Sequence, residues 1–186
     1  MRIISGEYGG RRLKTIPGKN TRPTSDKVKE SLFHMIGPYF DGRNVLDLYS
    51  GSGALGIEAV SRGMDHAFLI DYNYQAIKVI NENVKITKKP EKFTVWKEKD
   101  MLALERLKQL DISFDLVFLD PPYDKQKLNE ILKKLVDYNL LNEQSIIVCE
   151  TDKDVALPVK EQSLIFVKEK VYASTRLSIY KKESSQ

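Results

Sequence analysis

Short apolar runs alternate with segments of helical periodicity from Asn44 to Glu150, and this alternation constrains the fold more than any other feature. The runs are rich in β-branched and aromatic residues and are bounded by turn residues, which is typical of buried strands. Strand–helix alternation predicts an α/β fold with a doubly wound parallel sheet and a ligand crevice at the strand carboxyl ends. The runs expected to form strands are Asn44–Leu48, His66–Ile70, Phe93–Trp96, Phe114–Leu119 and Ser145–Glu150.

The segments between these runs carry apolar residues at spacings of three and four, which predicts amphipathic helices packed on the sheet. Two further runs at the end of the chain flank Ala173-Ser174-Thr175 and predict a hairpin. The expected helices are Gly53–Arg62, Tyr74–Thr87, Leu102–Leu110 and Lys127–Tyr138, and the closing strands are Leu164–Tyr172 and Arg176–Lys181.

Upstream of the alternating region, the sequence predicts a small hairpin followed by one helix. Arg2–Ser5 and Arg12–Ile16 could pair around Gly9-Gly10. The helix is expected near Asp26–Ile36, with Thr24 or Ser25 as its cap.

The loop after the first strand, Asp47–Gly56, has the composition of a ligand-binding turn. Gly51 and Gly53 allow a sharp turn and a close approach of the backbone to a ligand, and Gly56 allows close helix–sheet packing. The loop contains the pattern G-x-G-x-x-G, and Asp71 at the end of the next strand stands where a ribose-binding acid is expected. An NAD-binding protein is therefore one hypothesis.

Three acidic positions favour S-adenosylmethionine as the bound cofactor. The Asp47 carboxylate would repel a pyrophosphate but attract an ammonium group. Asp100, after the third strand, could accept a hydrogen bond from the adenine amine, beside a ribose acid at Asp71. The structural alternatives are a strand-end cap for Asp47, a helix N-cap for Asp100 and a turn residue for Asp71. Three neighbours are expected to be half-buried packing residues that could also wall the adenosine: Tyr49, Tyr72 and Met101.

The motif Asp120-Pro121-Pro122-Tyr123 follows the fourth strand and suits the capture of a base with an exocyclic amine. The two prolines end the strand and stiffen the backbone. The Asp120 carboxylate and the Pro121 carbonyl can accept the two amine hydrogens, while Tyr123 can stack on the ring. Two fixed acceptors favour the pyramidal nitrogen of the transition state over the planar ground state. The alternative is a plain turn with a solvated aspartate.

Positive charge is concentrated at the N-terminus. The chain of 186 residues has a formal net charge of +4, yet residues 1–22 hold six basic side chains and one acid, Glu7. Such a segment is either solvated surface or a contact for a phosphate backbone. The candidate RNA-binding residues are Arg2, Arg11, Arg12, Lys14 and Arg22.

The remaining composition points to a cytoplasmic protein. Its single cysteine, Cys149, lies in an apolar run and is expected to be a buried structural thiol in a reducing compartment. No segment reaches the roughly 18 apolar residues of a membrane span, and the N-terminus lacks a signal-peptide core. The chain has two histidines, and neither lies near a Cys-x-x-Cys or His-x-Glu pattern of metal ligands, so a metal site is not expected.

Taken as an ordered set, these motifs resemble the RsmD family, whose members methylate guanine N2 in bacterial small-subunit rRNA. The similarity extends from Met1 to the closing hairpin, with Tyr49-Ser50 in place of the more usual Phe-Ala and Asp71 where Glu is common. The segments that carry it are Arg22-Pro23-Thr24, Val28–Phe33, Val45–Ala59, Ser61-Arg62-Gly63 and Asp120–Tyr123.

The resemblance implies a Rossmann-like class I methyltransferase fold with a mostly parallel seven-stranded sheet and an antiparallel last strand. It implies S-adenosylmethionine as methyl donor, an rRNA substrate within a small ribosomal subunit, and a segment with Arg22 and Thr24 over the donor pocket. Residues 1–43 would form an extension of the same globular unit, 44–182 the catalytic domain and 183–186 a frayed tail. A monomer is expected. An adenine-N6 DNA methyltransferase and a non-catalytic RNA- or NAD-binding module remain as alternatives.

Overall fold

The computed structural model describes residues 1–17, 26–122 and 125–185. Within these ranges the chain forms five α-helices, one short 3₁₀ helix and eight β-strands. The chain divides into two compact units, residues 1–98 and residues 99–186. No helix in the described part of the chain is long and apolar enough to cross a membrane.

The first unit contains three parallel strands in the order β3-β2-β1. Asn44 of β1 is paired with His66 of β2, and Ala67 of β2 with Phe93 of β3. The interior positions of β1 and β2 are buried on both faces, as expected for parallel strands covered by helices. The elements are α1 (Asp26–Ile36), β1 (Asn44–Asp47), α2 (Ala54–Ser61), β2 (His66–Asp71), α3 (Tyr74–Ile86), a 3₁₀ helix (Pro90–Lys92) and β3 (Phe93–Lys97).

The second unit contains five strands in the order β4-β5-β8-β7-β6. β4 is parallel to β5, whereas β5–β8, β8–β7 and β7–β6 are antiparallel pairs. The elements are α4 (Asp100–Gln109), β4 (Phe114–Leu119), α5 (Lys125–Asp137), β5 (Leu141–Asp152), β6 (Lys160–Glu161), β7 (Leu164–Tyr172) and β8 (Thr175–Lys182).

All seven predicted strands are present, and the antiparallel end of the chain is confirmed. β5 begins four residues earlier than predicted, at Leu141, because Leu141 pairs with Phe114 across a register shift in β4. The two-residue strand β6 was not predicted. It pairs with the start of β7 through a turn that contains Gln162 at a φ of 53°.

The predicted N-terminal hairpin is shorter than expected. Its pairing is limited to one antiparallel bridge between Arg2 and Arg12, flanked by bonds from the Ile3 and Leu13 N–H groups to the Arg11 and Met1 carbonyls. Ser5, predicted to pair as well, instead turns its N–H toward helix α2. The predicted caps of α1, Thr24 and Ser25, lie outside the described residues.

The N-terminal segment is anchored on α2 by a buried carboxylate. Glu58 has no solvent exposure and accepts hydrogen bonds from the Ile4 N–H (2.9 Å) and the Ser5 N–H (3.2 Å). The same carboxylate is paired with Arg62 Nε at 2.9 Å and lies 3.5 Å from Lys29 Nζ. Three charged side chains, Glu58, Arg62 and Lys29, are therefore buried together beneath the N-terminal segment that Glu58 binds.

Candidate active site

The loop Asp47–Gly56 has the backbone that its glycines allow. Gly51 and Gly53 have positive φ angles of 59° and 83°. A Cβ built on Gly51 meets nothing within 4 Å, so this backbone faces open space that a ligand can approach. A Cβ on Gly56 would come within 2.2 Å of Leu69 Cδ2, so α2 packs on β2 only because this residue is glycine.

Asp47 is buried at the end of β1 and shapes the loop. Asp47 is only 3% exposed. Its Oδ2 accepts hydrogen bonds from Ser50 Oγ and the Gly56 N–H, both at 3.1 Å. The N-cap of α2 is Gly53 and not Asp47, but Asp47 accepts a hydrogen bond from the first turn of that helix, so part of the predicted capping role is observed. A role toward a ligand ammonium group stays a prediction.

Asp71 at the end of β2 is held by two backbone donors. Its Oδ2 accepts from the Gly51 N–H and its Oδ1 from the Asn73 N–H, both at 2.9 Å. An ionised carboxylate oxygen can accept more than one hydrogen bond, so both oxygens can also bind ligand hydroxyls. The turn role and the ribose-binding role predicted for Asp71 are compatible in this geometry.

The aromatic residues near these acids differ in exposure. Tyr49 is half-buried, as predicted. Tyr72 is 61% exposed, so its predicted role as a half-buried packing residue is wrong. Lys97 Nζ lies 5.3 Å from the centroid of the Tyr72 ring, a cation–π contact on β3.

Two amide side chains that the sequence did not single out complete this part of the first unit. Asn73 is the N-cap of α3, where its side chain accepts a hydrogen bond from the Ala76 N–H. The buried Asn83 of α3 donates to the Ser52 carbonyl at 2.8 Å and so ties the glycine loop to the helix. The capping position of Asn73 is a recognisable sequence signal, whereas nothing local in the sequence marks Asn83.

In the second unit, Asp100 and Met101 open helix α4. The predicted N-cap role of Asp100 is wrong, because Lys99 is the N-cap and Asp100 is the first helical residue. Asp100 Oδ1 accepts a hydrogen bond from the Met101 N–H at 2.7 Å, and both residues are half-buried.

The second unit also contains the described part of the Asp-Pro-Pro-Tyr motif. β4 ends at Leu119, after a run of four buried residues, and Asp120 follows as an exposed residue. Pro121 is buried and Pro122 is exposed. Tyr123 lies outside the described residues, as do Arg22 and Thr24.

The Asp120 carboxyl has a perturbed acidity. Water reaches its surface, but the surrounding protein removes part of its hydration, and the negative charge of Asp152 adds repulsion. Desolvation first and this repulsion second raise the pKa of Asp120 to about 6. A carboxyl whose pKa is raised at the open end of a strand is typical of functional sites.

Most of the candidate RNA-binding residues of the N-terminal segment have intramolecular partners. Arg11 Nη1 donates to the carbonyls of Ile86 and Thr87, at 3.0 and 2.9 Å, at the end of α3. Two further cations have acidic partners: Lys14 Nζ is 2.9 Å from Glu82, and Arg2 Nε is 3.6 Å from Asp26. Arg12 is exposed and has no ion pair with a described residue.

The described residues outside this region also contain groups of the kinds that bind metals or act as nucleophiles. Among the described residues, no group of three or more His, Cys, Asp and Glu side chains is arranged to hold a metal ion. Cys149 is fully buried, and desolvation raises the pKa of its thiol far above neutrality. It is the structural thiol that the sequence predicted.

Comparisons with known proteins give a consistent result. The family model described as conserved hypothetical protein 95 matches residues 1–181. The chain is 44% identical to "Putative rRNA methyltransferase YlbH" of Bacillus subtilis over 98% of its length and 99% of the relative. It is 30% identical to ribosomal RNA small subunit methyltransferase D of Escherichia coli, over 99% and 91%. The solved structure of the Escherichia coli protein yhhF superposes with a TM-score of 0.86 at 31% identity, covering 100% of this chain and 99% of that one.

Proposed function

This chain belongs to the RsmD family of rRNA methyltransferases, and on that premise we propose that it methylates the exocyclic N2 amine of a guanine in small-subunit (16S) rRNA. The residues at the end of β4 are the observation that supports an amine as the methylated group. There an accessible carboxylate, Asp120, is followed by the buried Pro121, whose carbonyl has no N–H beside it.

The first unit offers groups that fit an adenosyl-amino-acid. Asp71 keeps acceptor capacity for a hydroxyl pair, and the space beside Gly51 would admit the ligand. When bound, S-adenosylmethionine would supply a methyl group activated by its sulfonium. The residues proposed to hold it are Arg22, Thr24, Asp47, Tyr49, Gly51, Gly53, Asp71, Tyr72, Asp100 and Met101.

The proposed work of the second unit is to hold the target amine. The Asp120 carboxylate and the Pro121 carbonyl each accept a hydrogen bond from the amine. These two bonds favour a pyramidal nitrogen, whose lone pair is no longer delocalised into the ring. Pro122 stiffens the backbone, and Tyr123 stacks on the base. These acceptors stabilise the transition state more than the planar ground state, which is how binding becomes catalysis. The raised pKa of Asp120 also suits it to take the amine proton as the new N–C bond forms.

The target guanine must be unpaired when it reacts. Its N2 amine lies on the edge used in base pairing, so the base has to be presented from a loop or flipped out of its stack. A small ribosomal subunit that is assembling or assembled is the proposed setting. The cytoplasmic location, the monomeric state and the independence from metals remain predictions from the sequence.

Asp71→Ala is expected to weaken S-adenosylmethionine binding by about 1.5–3 kcal/mol, because hydroxyl groups lose a charged acceptor. Titration calorimetry on the purified protein measures this. Asp41→Ala, which removes an exposed acid elsewhere in the first unit, is the matched control and should leave the affinity unchanged. Equal affinities for Asp71→Ala and the parent would show that S-adenosylmethionine does not bind at this loop.

The pH profile should report the ionisation of Asp120. Only the carboxylate form can take the amine proton, so kcat/KM should fall about tenfold per pH unit below a pKa of about 6. Asp152→Asn removes the repelling charge and should move this acid limb to lower pH. Asp154→Asn, an exposed change two residues away, should leave the limb in place. If the acid limb of the pH profile does not move in Asp152→Asn, the limb does not report the ionisation of Asp120.

A transfer assay separates this function from its alternatives. The protein is incubated with methyl-labelled S-adenosylmethionine and either small-subunit rRNA, assembled small subunits or adenine-containing duplex DNA. We expect label in the RNA or the subunits and none in the DNA. Label in DNA alone would indicate an adenine-N6 enzyme, and binding of NAD without any transfer would indicate a dinucleotide-binding module.

A further inference from the structure

We propose that the exposed face and the C-terminal end of helix α3 form the surface that binds the phosphate backbone of the RNA, and that the N-terminal segment prepares this surface by pairing with Glu82 and with the last carbonyls of the helix. This inference rests on the proposed function for the identity of the polyanion. We call it the α3 basic surface; it comprises Lys78, Lys85, Lys88 and Lys92.

The lysines of this surface are grouped by the helix period. Lys78 and Lys85 are separated by seven residues, so they lie on one face of α3 about 10 Å apart. Both are exposed, as is Lys88 just beyond the helix, and Lys92 is half-buried. None of the four has an ion pair with a residue in the described part of the chain, so their charges are free to bind a ligand.

One negative group of this surface is paired with the N-terminal segment, whereas Glu91, beside Lys92, is exposed and has no ion pair with a described residue. Glu82, on the same face as Lys78 and Lys85, is paired with Lys14 at 2.9 Å. Glu7 lies in the N-terminal segment itself and is paired with Lys89 at 2.7 Å, which is why Lys89 is not counted in the surface. The hydrogen bond with Lys14, followed by the charges of Lys78 and Lys85, lowers the pKa of Glu82. The hydrogen bond with Lys89, followed by the charges of Lys92 and Arg11, lowers the pKa of Glu7.

The C-terminal end of a helix normally repels anions, because its last carbonyls carry the negative end of the helix dipole. In this protein the Arg11 guanidinium donates to the carbonyls of Ile86 and Thr87. The repulsion is thereby removed at the point where Lys88 and Lys92 lie. Arg11 and Lys14, predicted from the sequence to touch RNA themselves, act here mainly on the groups beside the free lysines.

The surface starts beside the candidate donor site. Tyr74, the first residue of α3, is 70% exposed and stands one turn before Lys78 on the same face. Asp71 lies three residues earlier, at the end of β2. An RNA strand that runs along α3 would therefore reach the edge of the sheet where the donor is proposed to bind.

The test is the triple variant Lys78→Gln/Lys85→Gln/Lys88→Gln, with RNA affinity measured at several salt concentrations. Each lost contact to single-stranded RNA lowers the slope of log affinity against log salt by about 0.7, so the triple variant should lose about two units. The matched control is Lys133→Gln/Lys168→Gln/Lys181→Gln, which removes the same charge from exposed lysines of the second unit. It should keep nearly the parental slope. An equal loss in both triple variants, or none in the first, would overturn the proposal.

A second variant tests the pairing of Glu82 with Lys14, and it should raise RNA affinity where the first variant lowers it. Glu82→Gln removes a repelling charge and releases Lys14, so RNA affinity should rise several-fold at low salt. Glu105→Gln, at an exposed position of α4, should not change it. An unchanged affinity for Glu82→Gln would contradict the proposed role of the N-terminal segment. Methyl transfer by the parent is measured separately. A parent that transfers no methyl group to RNA, yet shows the predicted slopes, would refute the proposed function and leave the surface standing.

Discussion

Asp120→Ala is expected to fold normally and to bind S-adenosylmethionine with the parental affinity, yet to lose roughly 10²–10³ in kcat. The lost group is a fixed acceptor for an amine hydrogen, and removing one such transition-state partner has an effect of that size. Asp120 is exposed and follows the buried part of β4, so its truncation leaves no cavity and no unpaired buried charge. Single-turnover transfer of a labelled methyl group to small-subunit rRNA measures the chemical step directly.

Two further variants make this result specific. Asp120→Asn keeps a carbonyl oxygen as acceptor but loses the charge, so it should retain more activity than Asp120→Ala. Asp154→Ala removes another exposed acid of the same unit and should leave kcat unchanged. Full activity in Asp120→Ala would mean that the Asp-Pro-Pro turn is only a turn.

Glu58→Ala is expected to lower the free energy of unfolding by about 3–5 kcal/mol, the typical effect of breaking a buried ion pair from one side. Glu58 accepts from Ile4, Ser5 and Arg62 in a fully buried position. Its removal takes away the carboxylate that lies 3.5 Å from the buried Lys29 and is paired with the buried Arg62. Desolvation already lowers the pKa of Lys29, and the loss of the Glu58 charge removes an interaction that opposes this shift.

Urea unfolding measures this loss, with Glu30→Ala as the control. Glu30 is an exposed acid of α1, and its removal should change the stability by well under 1 kcal/mol. A stability loss of that small size in Glu58→Ala would show that the N-terminal segment is not anchored through this carboxylate.

Local sequence patterns were sufficient for the α-helices and for seven of the eight strands, and they placed the candidate site acids at the strand ends. The apolar runs at Val45-Leu46 and Leu116–Leu119 are buried strand interiors, and the acids that follow them fall at strand ends for the same reason. Gly56 could be assigned to close helix–strand packing from its place in the motif, and its contact with Leu69 bears this out.

Long-range contacts could not be predicted from these patterns. Glu58 looks like a surface residue of α2, but the N-terminal segment covers it from 53 and 54 positions away in the chain. Arg11 looks like a free cation, but it caps a helix that ends 75 residues later. Both partners are set by tertiary packing, which no local period encodes.

The identity of the methylated nucleoside tests the account most directly. Small-subunit rRNA, free and in assembled subunits, is incubated with the purified protein and methyl-labelled S-adenosylmethionine, then digested to nucleosides and analysed by mass spectrometry. We expect the label in N2-methylguanosine, from one guanine of the RNA, with the yield reduced about 10²-fold or more in Asp120→Ala. Label in another nucleoside, or equal label with Asp120→Ala, would contradict the account.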